Sequence, residues 1–323
     1  MTETVKVTSG KALLMQQEET KPARQVFGHF IHEGELCVLF GDSNAGKSIL
    51  ANDIAFFVSG GGHEWEDMVS PNIPTLYVDM EMTGVQFARR YHNAIDYITD
   101  NYSRAEVDMN STADKWEFVR SKIITMQGQP NAPKFIIIDN ITNGFGSIFS
   151  AKKMLSLVAE LKTMKSRFGL TILLIAHCPK RNRNKPITQD SLGGSKMIIN
   201  FVDSAFAVGT SVQGEDIRYI KQIKARECSK SELVTTVRIK DTPYLSMHKI
   251  DTTAEETHIS TKVLAGMYYD MTPEKEIELC CYLESNRDHN ENYMSYYEIS
   301  DKTGIPVDFI VSYDIEHYIL KQD

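Results

Sequence analysis

Residues 41–48, Gly-Asp-Ser-Asn-Ala-Gly-Lys-Ser, limit the possible folds of this chain more than any other feature of its sequence. They match the pattern G-x-x-x-x-G-K-S/T, which binds phosphate groups when it joins a buried strand to the start of a helix. Both neighbours are present, because residues 36–40 are an apolar run and a helical pattern extends from residue 47 to about 59. The sequence therefore predicts a strand, a phosphate-binding loop and a helix in that order.

The other apolar runs predict a mostly parallel sheet. Four runs have the length of a strand and are apolar throughout, as expected for strands covered on both faces; they are residues 75–79, 135–139, 171–176 and 204–208. Helical patterns separate them, including one over residues 154–167, so strands and helices alternate as in α/β folds. Residues 217–224 and 233–240 then predict an antiparallel hairpin at the far edge of the sheet.

Four segments follow from these patterns. Residues 1–28 are polar and predict an N-terminal arm, residues 29–250 hold the α/β core, and the Thr-rich residues 251–272 predict a linker. Residues 273–323 predict helices around a tight turn, and the spacing of Ser300, Gly304 and Ile310 is typical of a helix-turn-helix. We therefore expect a small helical module, similar to a helix-turn-helix or winged helix, after the core.

The acidic charge of the chain is concentrated in this last module. The formal net charge is -8, and residues 273–323 alone contain twelve Asp or Glu against four Lys or Arg. The rest of the chain is therefore neutral overall, yet residues 179–186 contain four cations and no acid. Prolines at both ends of that stretch predict a loop. Two interpretations of it stay open, a solvated turn and a surface that binds nucleic acid.

Composition argues against exported and membrane proteins. No apolar stretch approaches the ~18 residues that span a bilayer, and the first residues lack the apolar core of a secretion signal. The cysteines have no C-x-x-C spacing and predict neither a disulfide framework nor a zinc site; they are Cys37, Cys178, Cys228, Cys280 and Cys281. We expect a reduced, cytoplasmic protein without a membrane partner.

The loop motif defines the candidate phosphate-binding residues. Its glycines allow successive backbone N–H groups to face phosphate oxygens, and the N-terminus of the following helix adds its positive end. Lys47 is placed to bridge the β- and γ-phosphates, and Ser48 is placed to bind magnesium. The candidates are Gly41, Asp42, Ser43, Asn44, Ala45, Gly46, Lys47, Ser48 and Ile49.

Two acids near the ends of apolar strands complete the predicted site. Asp139 ends the strand 135–139, where a carboxylate can supply a second magnesium ligand. The next residue is Asn140 instead of Glu, so the carboxylate that activates water must come from elsewhere. Glu81, two residues beyond the strand 75–79, is the candidate, and a solvated loop acid is the alternative interpretation.

These features together resemble a known ATPase core. Glu81-Met82 and Arg90, combined with residues 41–48 and the strand ending in Asp139, resemble the core shared by RecA and the DnaB-type replicative helicases, in particular the compact RepA-type helicases of plasmids and mobile elements. The resemblance covers about residues 27–240. It implies a RecA-like P-loop NTPase core that binds ATP and Mg²⁺, forms a hexameric ring or a filament, and acts on single-stranded DNA.

The resemblance also implies roles for individual residues. Glu81 would polarise the attacking water, and His177 would sense the γ-phosphate. Lys224 and Arg226 match a Lys-x-Arg that reaches the phosphates of a neighbouring subunit. The loop after the sensing strand faces DNA, which implies DNA contacts for Lys180, Arg181, Arg183 and Lys185. From the residues alone, His177 could equally be an ordinary strand-end histidine, and the Lys-x-Arg could be part of an exposed hairpin.

Three functions stay open at this point. The first is an ATP-driven motor on single-stranded DNA that serves the replication or transfer of a mobile element. The second is a RecA-like switch that is not a motor and changes partners with its nucleotide state, as recombination mediators and regulatory ATPases do. The third is a small-molecule kinase, which a Lys-x-Arg on a hairpin fits poorly.

The acidic module predicts a protein partner. A helix-turn-helix normally reads DNA with its second helix, but residues 306–320 contain Asp308, Asp314 and Glu316 and no Lys or Arg. Phosphates would be repelled by this surface. We therefore expect the module to contact protein, and assign DNA to the basic loop.

Overall fold

The computed structural model describes residues 8–17, 23–65, 68–107, 115–141, 151–178, 181–259, 271–287, 294–314 and 317–318. The strands in this part are β1 (Gln25–Phe27), β2 (Ile31–His32), β3 (Leu36–Gly41), β4 (Thr75–Asp79), β5 (Tyr102–Glu106), β6 (Phe135–Asp139), β7 (Thr171–His177), β8 (Ser204–Thr210), β9 (Ile217–Lys224), β10 (Val234–Lys240) and β11 (Ser246–Thr253). The helices are α1 (Gly10–Gln17), α2 (Lys47–Val58), α3 (Gly84–Arg90), α4 (Lys115–Met126), α5 (Ala151–Phe168), α6 (Lys196–Phe201), α7 (Glu256–Ile259), α8 (Pro273–Arg287), α9 (Tyr296–Thr303) and α10 (Val307–Asp314). Two 3₁₀ helices cover His92–Tyr97 and Gln189–Ser195.

A nine-stranded sheet forms the centre of the protein. Its strand order is β11-β10-β9-β8-β3-β7-β6-β4-β5, and the strands from β8 to β5 in this order are parallel. Beyond β8, the strands β9, β10 and β11 continue the sheet antiparallel. The predicted α/β fold, with a mostly parallel sheet and a hairpin after it, is therefore confirmed.

Both edges of the sheet differ from the prediction. The hairpin β9–β10 is not the far edge, because β11 pairs with β10 outside it. On the other side, β5 pairs with β4 and was not predicted. The reason is the same at both edges: β5 (Tyr-Ser-Arg-Ala-Glu) and β11 (Ser-Met-His-Lys-Ile-Asp-Thr-Thr) are partly exposed and polar, and lack the apolar run of a central strand.

Two apolar layers cover the sheet. Alternate strand residues point to opposite faces, so Val38 packs on one side and Leu39 on the other. Helix α2 covers the side of Leu39 through residues such as Leu50, and α4 and α5 cover the side of Val38 through residues such as Leu161. All four side chains are fully buried. This packing fixes the helix that follows the phosphate loop against the sheet.

The predicted arm and linker contain regular structure. Within residues 1–28, α1 exposes Leu14 and Met15, and β1 buries Val26 and Phe27. Residues 251–259 belong to the core unit, because β11 continues to Thr253 and α7 follows it; residues 260–270 of the expected linker lie outside the described residues. The prediction of a linker from residue 251 was therefore wrong for its first nine residues, because buried hydrogen bonds hold them to the sheet.

The C-terminal helices have their own apolar cluster. Leu279 and Leu283 of α8 pack with Ile299 of α9 and Ile310 of α10. Gly304 ends α9 in a left-handed conformation (φ +66°), at the tight turn that the sequence predicts. No helix in the described part of the chain has the length and hydropathy that a membrane span requires.

Candidate functional site

The carboxyl ends of four parallel strands bring the predicted site residues to one edge of the sheet. Gly41 of β3 pairs with His177 of β7, and Asp79 of β4 pairs with Asp139 of β6. In open α/β sheets ligands bind outside this edge, where loops leave the strands. The phosphate loop and the two predicted acids therefore lie on the same side of the sheet.

The phosphate loop has glycines where larger residues would not fit. A Cβ atom at Gly41 would lie 2.4 Å from the carbonyl oxygen of Val208 on the neighbouring strand. Gly46 has φ +96°, in the left-handed region, and a Cβ atom there would lie 2.4 Å from Cε of Met247. The sequence pattern of the loop thus reflects its close packing against β8 and β11.

The ammonium group of Lys47 lies inside the loop. Its Nζ donates hydrogen bonds to the carbonyl oxygens of Gly41 (3.0 Å) and Asp42 (2.7 Å), and the residue is 5% exposed. Burial lowers the pKa of Lys47, although nearby acids, Asp139 and Glu81 among them, raise it. A phosphate bound by the loop could take the place of these carbonyls as the partner of Nζ.

Asp139 and Ser48 could hold a magnesium ion. Oδ2 of Asp139 accepts a hydrogen bond of 2.6 Å from the Tyr77 hydroxyl, whereas its buried Oδ1 has no hydrogen-bond partner among the described residues. Burial raises the pKa of Asp139 to about 6, although the hydrogen bond from Tyr77 acts in the opposite direction. An unpartnered carboxylate oxygen in a cavity that Ser48 also lines suits Mg²⁺, which prefers oxygen ligands and takes the others from water and phosphate.

Glu81 lies between two polar side chains at the strand ends. Its Oε1 is 3.1 Å from Nε2 of His177 and accepts a short hydrogen bond from Nδ2 of Asn140. The hydrogen bond from His177 is the main reason that the pKa of Glu81 is lowered, and Lys47 acts in the same direction. Glu81 is therefore ionised at neutral pH and can accept a hydrogen bond from water.

A cavity of about 330 Å³ opens in front of these groups. Its walls combine the candidate metal ligands, the acid and the start of α3; they are Ser48, Asp79, Glu81, Met82, Gln86, Arg90 and Asp139. The candidate metal-binding and water-activating residues thus share one cavity. Arg90, part of the sequence resemblance, contributes a cation to it.

Lys224 and Arg226 lie away from this cavity. Lys224 pairs with Ala205 and Ala205 with Val38, three residues before Gly41, so the Lys-x-Arg is near the amino ends of the parallel strands. Nζ of Lys224 donates to the carbonyls of Ile199 (2.7 Å) and Val202 (2.8 Å) at the end of α6. These two cations therefore cannot act on the phosphate loop of their own chain.

Arg226 keeps an exposed side chain at this second edge. Its Nη1 is 2.7 Å from Oδ1 of Asp203, and the side chain is 70% exposed. Asp203 also pairs with Lys165 and accepts a hydrogen bond from the backbone N–H of Leu36. An exposed guanidinium held by a well-anchored carboxylate is available to a neighbouring molecule.

The basic loop does not have the arrangement that the sequence predicts. Arg181 is turned inward: its side chain is 10% exposed and its Nε is 3.3 Å from Oδ2 of Asp42 in the phosphate loop. Arg183 is 62% exposed, with Nε 3.8 Å from the same oxygen, and Lys185 is exposed. Lys180 lies outside the described residues. The buried carboxylate of Asp42 explains why Arg181 is not on the surface expected for DNA contact.

Some residues around the site have no sequence signal. Arg218 donates from Nε to the carbonyl of Ala45 in the phosphate loop at 3.0 Å. Arg104, on the unpredicted strand β5, pairs with Asp79 at 2.9 Å. Both contacts join positions that are far apart in sequence, so only the strand order reveals them. The predicted apolar strand that ends at Asp79 was the available signal for that carboxylate.

The chain matches one family of proteins over more than half of its length. Residues 3–183 match the family model described as an AAA domain. No curated protein sequence matches the chain significantly.

Two solved structures share the fold. The KaiC-like protein PH0186 from the hyperthermophilic archaeon Pyrococcus horikoshii OT3 is 14% identical, with a TM-score of 0.52, over 71% of this chain and 100% of that one. The second structure, an ATPase domain, is 11% identical, with a TM-score of 0.56, over 76% of this chain and 100% of that one. The chain therefore belongs to the AAA domain family and has the RecA-like P-loop ATPase fold.

Proposed function

We propose that the protein hydrolyses ATP at the cavity beside the phosphate loop and uses the reaction to act on single-stranded DNA. The observation that carries the proposal is the position of the Glu81 carboxylate, which faces the same cavity as Ser48 and Asp139 and is hydrogen-bonded to His177. A general base must lie near the water it activates, and a metal-bound phosphate must lie near that water. The arrangement supports phosphate transfer to water in preference to transfer to a second substrate.

Each group has a defined task in this proposal. Mg²⁺ bound with ATP would neutralise charge on the phosphates, and Ser48 and Asp139 would hold it. Lys47 binds the β- and γ-phosphates in place of its present carbonyl partners. Glu81 accepts a proton from the attacking water, and His177 keeps the Glu81 carboxylate ionised and oriented until it does so.

The site needs a second copy of the chain in this proposal. Neither cation of the Lys-x-Arg can reach its own phosphate loop, because the two lie at opposite ends of the strands. We therefore assign Arg226, which is largely exposed, to the phosphates of a neighbouring subunit in a ring or a filament. Lys224 supports it by fixing the end of β9 to α6.

DNA is assigned to the outer part of the basic loop. Arg183 and Lys185 are exposed, whereas Arg181 holds the loop to Asp42. The ion pair between Arg181 and Asp42 therefore connects the DNA surface directly to the phosphate loop. This contact gives DNA binding a physical route to the nucleotide site.

A nucleotide-dependent switch that is not a motor is the second candidate. It is favoured by the same ion pair, because a loop held against Asp42 can change its position with the bound nucleotide without any movement along DNA. The acidic C-terminal module would then present its surface to a protein partner. A motor and a switch differ in whether turnover is coupled to strand separation.

The proposal is tested by measuring ATP turnover of the full chain with and without single-stranded DNA, over a range of protein concentrations, together with unwinding of a forked duplex. Turnover that rises with DNA and with protein concentration, accompanied by unwinding, supports the motor. Stimulation without unwinding supports the switch. The absence of turnover under all of these conditions contradicts both.

A further inference from the structure

The backbone that carries Glu81 is held by a buried carboxylate. Residues 80–83 connect β4 to α3, and Asp79 at the end of β4 is 1% exposed. Its Oδ1 accepts hydrogen bonds from the backbone N–H groups of Glu81 (2.9 Å) and Met82 (2.8 Å). The position of the Glu81 backbone therefore depends on the orientation of the Asp79 side chain.

Arg104 fixes the other oxygen of that carboxylate. From β5, its Nη2 and Nε lie 2.9 Å and 3.3 Å from Oδ2 of Asp79, and Nη2 also donates a short hydrogen bond to the carbonyl of Met82. The side chain is 11% exposed, and its guanidinium lies 5.0 Å from the centre of the Phe87 ring on α3. One guanidinium thus contacts the carboxylate, the loop backbone and the next helix.

Glu106, two residues further along β5, holds the end of the loop. Its Oε2 accepts a hydrogen bond of 2.6 Å from the backbone N–H of Gly84 and is 3.6 Å from Nη1 of Arg104. Thr83 caps α3 at this point in a reciprocal capping box with Gln86. The loop is therefore held at both ends by side chains from the edge strand and by its own helix cap.

We infer that Arg104, acting through Asp79, is a positioning residue that sets the Glu81 carboxylate for attack by water. The inference rests on the proposed function of Glu81. Geometry explains why an arginine is needed: its planar group donates twice to Asp79 and still reaches the Met82 carbonyl, which a lysine ammonium cannot do. A displacement of about 1 Å in a reacting group can cost on the order of 100-fold in rate.

The test compares turnover and nucleotide affinity in Arg104→Met, Arg104→Lys and Glu106→Ala. For Arg104→Met we expect kcat to fall at least about tenfold, while the Kd for a fluorescent ATP analogue changes less than about threefold. Arg104→Lys should recover only part of kcat. Lys221→Met is the matched control, because it removes a similarly buried ion pair with Glu255 elsewhere in the sheet, and its kcat should match the wild type.

A double-mutant cycle separates positioning from general loss of structure. If Arg104 acts through Glu81, then Arg104→Met should lower the single-turnover rate of Glu81→Gln very little, since the group that it positions is already lost. Additive losses in the two variants, or equal effects of Arg104→Met and of Lys221→Met on kcat, overturn the inference.

Two further results keep the outcome decisive. Should Arg104→Met fail to fold, Glu106→Ala decides: its side chain is 46% exposed, so the variant should fold, and an unchanged kcat overturns the inference. A wild-type rate in Glu81→Gln itself contradicts the proposed function. An inactive Glu81→Gln combined with fully active Arg104 and Glu106 variants contradicts only the positioning role.

Discussion

Acid should weaken the antiparallel side of the sheet through His258. This residue of α7 is fully buried, with Nδ1 2.8 Å from Oγ of Ser211, and Nε2 3.0 Å and 2.9 Å from Oγ1 of Thr236 and Thr253. Its ring stacks on Tyr219 at 4.8 Å between centres. Burial lowers the pKa of His258 from 6.5 to about 4, because hydroxyl groups and an aromatic ring cannot replace the hydration of an imidazolium ion.

The sign and size of the effect follow from this shift. The unfolded chain binds a proton at His258 as the pH falls below 6.5, whereas the folded protein does not do so until about pH 4. The unfolding free energy therefore decreases across this window and is unaffected by the group above it. Linkage gives a loss of about 2 kcal/mol between about pH 7 and about pH 5.

Denaturant unfolding at these two pH values measures the loss. His258→Gln removes the titration while keeping polar atoms near the three hydroxyls, so the difference between pH 7 and pH 5 should shrink by about 2 kcal/mol. His92→Gln, at an exposed histidine, should leave the wild-type difference unchanged. An equal pH dependence in wild type and His258→Gln would refute the argument.

Three further predictions concern nucleotide, neighbour and DNA. Lys47→Ala should weaken binding of a fluorescent ATP analogue, because it removes the ammonium group that lies inside the phosphate loop; unchanged affinity contradicts this. Arg226→Ala should bind nucleotide but turn it over slowly, and mixing it with Lys47→Ala should restore some turnover at mixed interfaces, whereas a concentration-independent rate contradicts the role in a neighbour's site. Neutralising Arg183 and Lys185 should lower the salt slope of single-stranded DNA affinity by about 1.4, whereas deleting residues 273–323 should leave it nearly unchanged; the reverse pattern assigns DNA to the C-terminal module.

The central strands could be predicted from the sequence because their environment leaves a strong signal. Strands β4 and β6 have the predicted bounds, since every residue in them is buried and all but the polar ends are apolar. Strands β5 and β11 could not be found in this way, because they are partly exposed and their polar residues hide the strand pattern. A sequence pattern records burial, and edge strands are buried the least.

The candidate site shows the same division. Ser48 and Asp139 were identified by a motif and by a strand end, and both line one cavity with Glu81. The pairs Asp79–Arg104 and Arg181–Asp42 could not be predicted, because each depends on strand order and side-chain direction across a long sequence separation. Position along the chain does not reveal which residues support a catalytic group from the side.

The most direct test of this account is a comparison of nucleotide binding and phosphate release in Glu81→Gln. The amide keeps the shape of the side chain but cannot accept a proton from water, so ATP affinity should stay near the wild-type value while turnover falls about 100-fold to 1,000-fold. Glu33→Gln, at an exposed acid outside the cavity, should behave as the wild type in both measurements. Normal phosphate release by Glu81→Gln would contradict the central claim that this carboxylate activates the attacking water.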